Sequence, residues 1–135
     1  MQAVANSRLA LVTGTVAAVV AIVDDDRSVL TSIKDLMESA GLSVGCFGSA
    51  EEFLESDQRR VTGCLVVDIR MPGMSGLQLQ ARLQAEGSHI PLIFITAHDD
   101  AQVRIQAMKA GALDVLAKPF DNDVLLGRVQ AALRG

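Results

Sequence analysis

Residues 64–76 read Cys64-Leu65-Val66-Val67-Asp68-Ile69-Arg70-Met71-Pro72-Gly73-Met74-Ser75-Gly76. The uninterrupted apolar run before Asp68 predicts a strand covered on both faces, since a strand with one wet face would alternate. Pro72, Gly73 and Gly76 make the stretch after Asp68 a loop, so the Asp68 carboxylate stands where a buried strand opens to solvent. The same pattern recurs on either side. Val19-Val20-Ala21-Ile22-Val23 runs into Asp24-Asp25-Asp26, Leu92-Ile93-Phe94-Ile95 ends at Thr96, and the stretch from Leu113 to Ala117 ends at Lys118-Pro119. Leu42 to Phe47 alternates apolar with small residues, as an edge strand does. Helical spacing fills the intervals. Val29, Leu30, Ile33, Leu36 and Met37 share one face of a helix predicted from Arg27 to Ala40, with Gly41 as its stop. Ser49 caps a short helix from Ala50 to about Asp57, and a third helix ends near Glu86 and Gly87. A fourth is predicted from Asp99 to Ala110 and a fifth from Asp121 to Leu133. Five β-α units in succession predict an α/β fold: a five-stranded parallel, doubly wound sheet with helices on both faces.

Half of the 135 residues are hydrophobic but only 3% are aromatic, with no Trp or Tyr. The core is therefore aliphatic, and nucleic-acid bases have almost nothing to stack on. A net charge of −4 leaves no footprint for a phosphate backbone, which excludes direct nucleic-acid binding by this segment. Cys46 and Cys64 lie in strand-like runs without metal-ligand spacing, so both are expected as buried, reduced thiols. The apolar stretch from Leu9 to Val23 follows Arg8 and invites reading as a signal peptide. Its last residues, however, are needed for the first strand, and it falls short of the about 20 apolar residues a membrane span requires. Residues 1–17 are accordingly read as an N-terminal extension, disordered or an expression remnant, ahead of one domain over 18–135. The protein is expected to be soluble and cytoplasmic.

Asp24, Asp25, Asp68, Thr96 and Lys118 all stand at strand ends, and in a parallel sheet those ends share one edge. Ligands of open α/β sheets bind there. Three carboxylates gathered without a partner would repel, so the site asks for a cation; a few hard oxygens suit Mg²⁺. A carboxylate is also a nucleophile toward phosphorus and can form an aspartyl phosphate. Lys118 can neutralise phosphoryl oxygens, and the Thr96 hydroxyl can donate to one of them. Taken singly, each residue has a plainer role: solvated turn, helix cap or strand residue. Their joint occurrence at strand ends favours the chemical reading.

VAIVDDD (20–26), LVVDIRMPGMSG (65–76), IPLIFITAHDD (90–100) and AGALDVLAKPF (110–120) together resemble the receiver domain of two-component response regulators over residues 18 to 134. DIRMPGMSG, FITAH and AKPF are worded most like the FixJ-like branch. The resemblance implies a flavodoxin/CheY-like three-layer sandwich with strand order 2-1-3-4-5. It implies Asp68 as phospho-acceptor, with Mg²⁺ held by Asp25, Asp68 and the backbone carbonyl of Arg70, and by Asp24 through water. Thr96 and Lys118 become the hydroxyl and cation that meet the phosphoryl group, and a sensor histidine kinase becomes the partner. An output domain acting on transcription is implied beyond this segment. With Cys46 and Cys64 on strands flanking the first, no disulfide between them is expected, and a cis Lys118–Pro119 bond is. His98 and Arg70 would overhang the phosphoryl group. Phosphorylation would strengthen a homodimer through the fourth helix, fifth strand and fifth helix, where Gln102, Arg104, Gln106, Lys109, Asp121, Asp123 and Arg128 could pair. One departure stands out: Val115 occupies a position where the family commonly has Phe or Tyr.

Two other functions compete. A small Mg²⁺-dependent phosphatase acting through an aspartyl-phosphate would want a second Asp two positions after the nucleophile, and Arg70 is there. A flavodoxin-like cofactor binder would want a hydroxyl- and glycine-rich loop after the first strand, where Asp24-Asp25-Asp26 would repel a phosphate.

Overall fold

A computed structural model describes residues 18–98 and 100–135. The extension expected over 1–17, and Asp99 at the expected start of the fourth helix, lie outside the described residues. In chain order the elements are β1 (Val19–Val23), α1 (Arg27–Ser39), β2 (Ser43–Phe47), α2 (Ala50–Glu55), a 3₁₀ turn (Asp57–Val61), β3 (Thr62–Asp68), α3 (Gly76–Ala85), β4 (Leu92–Thr96), α4 (Ala101–Lys109), β5 (Asp114–Ala117) and α5 (Asn122–Arg134). Every strand pairing is parallel and the sheet order is β2-β1-β3-β4-β5, as expected.

Alternation along the buried strands sends successive side chains to opposite layers. Val20, Ile22, Cys64, Val66, Ile93 and Ile95 pack with Ile33 and Met37 of α1 and with Leu125 and Val129 of α5. Ala21, Val23, Leu65, Val67, Phe94 and Val115 pack with Phe53 of α2, Leu79 and Leu83 of α3, and Ala107 of α4. Truncating a fully buried ring such as Phe53 or Phe94 to Ala would cost about 3–5 kcal/mol, through lost transfer energy and the cavity left behind.

The boundaries move where side chains intervene. Ser56 accepts the Gln58 N–H at 3.1 Å, which ends α2 at Glu55 and starts a 3₁₀ turn that the apolar periodicity does not foreshadow. Asp100 and Asp121 are caps preceding α4 and α5 rather than residues within them. The expectation of two buried thiols is corrected. Cys64 is buried, but Cys46 is exposed because β2 is an edge strand, and a residue there can face outward past the helix layer. β1 separates the strands of the two cysteines, and both are free thiols.

Candidate functional site

β1 lies between β2 and β3, where the strand order reverses, so the carboxyl ends of β1 and β3 open a crevice. Asp24 is 0% exposed and Asp68 7%, while Asp25 beside them faces solvent. One ligand atom from each of the three lies within 4.8 Å of the others. Lys118, carried in from the end of β5, closes the arrangement: its Nζ donates to Asp24 Oδ2 at 3.1 Å and to Asp68 Oδ2 at 3.2 Å. The remaining oxygens are held by backbone. Asp26 N–H donates to Asp24 Oδ1 at 2.9 Å, and Arg70 N–H to Asp68 Oδ1 at 3.2 Å. The Lys118–Pro119 bond is cis, as expected.

Burial raises the Asp24 carboxyl above its ordinary range; the Asp26 amide and Lys118 pull the other way, and Asp68 repels it. Burial alone would lower the Lys118 ammonium, but its contacts with Asp24 and Asp68 outweigh that and hold it above its usual value. The third consecutive aspartate has a different task. Asp26 accepts from Ser28 N–H at 2.9 Å and Ser28 Oγ at 2.7 Å, which caps α1 and lowers its own carboxyl pKa. Thr96, 2% exposed, is tied to the loop after β4: its hydroxyl donates to the His98 carbonyl and accepts from the His98 N–H, both at 3.1 Å. The side chains of His98 and Arg70 are exposed. Val115 is buried beside Phe94, its partner in the β4–β5 register.

Residues 20–130 match the family described as the response regulator receiver domain. The chain belongs to that family. Response regulator protein TodT of Pseudomonas putida is 48% identical to this receiver domain over 118 residues, covering 87% of this chain and 52% of TodT. Transcriptional regulatory protein FixJ of Azorhizobium caulinodans is 44% identical over 112 residues, 83% of this chain and 53% of FixJ. A crystal structure described as FixJ-N superposes with a TM-score of 0.79 at 37% identity, covering 89% of this chain and 96% of that one. The receiver domain thus spans about half the length of the regulators it matches, and the FixJ likeness expected from its loops is borne out.

Two residues that position the receiver site were not singled out from sequence. Gly76 opens α3 against the end of β3; a Cβ there would lie 2.5 Å from the Asp68 carbonyl oxygen and 3.0 Å from Ile69 Cα. Its N–H donates to Ile69 O at 2.8 Å. Glu51, in the first turn of α2, accepts the Met74 N–H at 3.1 Å and so ties down the β3–α3 loop from a neighbouring element. A Ser-Gly pair after a Pro-Gly loop signals a cap, which Ser75 is. It carries no sign that Gly76 is there for space.

Proposed function

We propose that this receiver domain accepts a phosphoryl group on Asp68 from a partner sensor histidine kinase, in the cytoplasm, and relays the event to an output that controls transcription. The observation that carries the reading is Lys118 Nζ, within hydrogen-bond reach of carboxylates from two different strands. An ammonium that balances two anions is placed to follow one of them when it becomes an acyl phosphate.

The donor set fits Mg²⁺, which takes a few hard carboxylate oxygens and keeps several waters: the three carboxylates lie close together, and one of them, Asp25, faces solvent. Asp25, Asp68 and the Arg70 carbonyl would hold it, with Asp24 acting through water. Bound there, it supplies positive charge against the phosphoryl oxygens. This chain's own residues do the rest. An Asp68 carboxylate oxygen attacks phosphorus, forming the O–P bond as the P–N bond to the donor imidazole breaks, and the departing electron pair stays on the imidazole. Lys118 Nζ stays with the new phosphoryl oxygens. Thr96 exchanges its hydroxyl bond to the His98 carbonyl for one to the phosphoryl group, and the loop leading to α4 moves with it. His98 and Arg70 stand over the approach of hydrolytic water and set the lifetime of the phosphorylated state.

The output step is a homodimer through α4, β5 and α5. Ile105 and Met108 on α4, Leu113 before β5 and Val124 on α5 are exposed apolar side chains that add to the polar residues of the same face. Arg128 is already engaged by Asp114, Nε to Oδ2 at 2.9 Å, so Gln102, Gln106, Lys109 and these apolar groups carry the proposed contact. Thermal melts with Mg²⁺ and beryllofluoride, a phosphoryl mimic, test the reading. The wild type should gain several degrees and Asp68→Asn none; an equal gain in both would overturn it.

A further inference from the structure

Away from the carboxyl edge, the buried polar side chains among the described residues are Thr62, which bonds the Gln58 carbonyl of its own turn, and Gln80 on α3. Gln80 is 6% exposed, and its Nε2 donates across to the Ala107 carbonyl of α4 at 3.2 Å. One turn later on the same face of α3, Gln84 Nε2 donates to the Ala110 carbonyl at the α4 C-cap. Ala107 O also accepts the Ala112 N–H at 3.1 Å, so the glutamine is not needed to satisfy that carbonyl. An apolar residue would fill the same space without burying an amide. What the two amides add is a directional tie between α3 and the last turn of α4.

The N-terminal half of α4 is less deeply set, with residues 101–106 exposed or half-buried. Ala107 is the buried residue of the helix, Ile105 is 54% exposed, and Val103 is half-buried. Immediately upstream stand Thr96 and the paired bonds through which it holds the His98 backbone.

We propose that Gln80 and Gln84 clamp the C-terminal end of α4 to α3, so that a rearrangement entering from Thr96 turns the N-terminal half of α4 about a fixed end. The second half of that statement rests on the reading of Asp68 as phospho-acceptor; the clamp itself does not. The two glutamines are positioning residues for the output face, because they decide how far along α4 the change travels.

Amide hydrogen exchange read by NMR, on the wild type and on Gln80→Met/Gln84→Met, tests this. In the free wild type the amides of Ala110, Gly111 and Ala112 should exchange more slowly than that of Arg104. In the double variant they should speed up by about tenfold or more, while Val66 in β3 and Leu79 in α3 stay unchanged, which separates release of the clamp from loss of the fold. Gln80→Glu keeps the side-chain length but turns an acceptor toward a carbonyl, and should release the same amides. With Mg²⁺ and beryllofluoride, shift changes in wild-type α4 should stop near Ile105; in the double variant they should reach Ala112. An unchanged exchange gradient in the variants, or wild-type changes spread evenly to Ala112, would overturn the clamp. Absence of a bound fluorine resonance would count against the phospho-acceptor reading instead, and the exchange gradient of the free protein would still decide the clamp.

Discussion

Replacing Lys118 with Met would leave the fully buried Asp24 carboxylate without its ammonium, while Asp68 still repels it. Breaking a buried pair from one side leaves an uncompensated charge, which costs about 3–5 kcal/mol. Lys118 retains 19% side-chain exposure, so solvent screening trims the expected loss to about 2 kcal/mol. Urea melts should show that loss in metal-free buffer and a smaller one in millimolar Mg²⁺, where a second cation substitutes for the ammonium. An equal loss in both buffers would mean that Lys118 and the ion do not share a charge balance. The glycines give an independent test of spacing. Gly127 lies inside α5 with nothing within 4 Å of an added Cβ, so Gly127→Ala should stabilise by about 0.5–1 kcal/mol through helix propensity. Gly76→Ala gains the same propensity but drives a Cβ into the Asp68 and Ile69 backbone, which cannot swing aside as a side chain can. It should destabilise by about 1–2 kcal/mol and slow acyl-phosphate uptake, because the residue displaced is the proposed acceptor.

Among the elements, those that hold the site were the most legible in sequence. β1, β3 and β4 are buried nearly throughout, so their apolar runs could satisfy no other environment, and the polar residue ending each run marked the edge where chemistry collects. The pairing order of those strands came from likeness to a family, because periodicity along a strand does not say which strand lies beside it. Helix ends were less legible. Asp100 and Asp121 read as helical residues although each side chain accepts two N–H groups of the first turn from outside the helix. Cys46 was misjudged although its run reads as an edge strand, because exposure at a sheet edge depends on what the neighbouring helix fails to cover. Gly76, Glu51 and Gln80 act through contacts with residues of other elements. A spacing along one chain does not display such contacts.

At the scale of the whole molecule, charge is segregated. The site lies at the carboxyl end of the sheet, and an independent ion-pair group lies elsewhere, where Glu86 after α3 meets Arg59 of the 3₁₀ turn and Arg82 of α3. Those two guanidiniums hold the Glu86 carboxyl below its ordinary 4.5. A carboxyl depressed on folding contributes stability above its unfolded value and loses it as pH falls through the folded one. The wild type should therefore exceed Glu86→Gln slightly in stability near neutrality, and the gap should close below pH 4.5. A gap independent of pH would mean the residue acts by packing rather than charge. The proposed transfer of a phosphoryl group to Asp68 underlies every step of the switch, and intact-mass spectrometry after exposure to a small acyl phosphate reads it directly. The wild type in Mg²⁺ should gain the mass of one phosphoryl group, and neither the chelator-treated wild type nor Asp68→Asn should gain it; undiminished uptake in either would contradict the account.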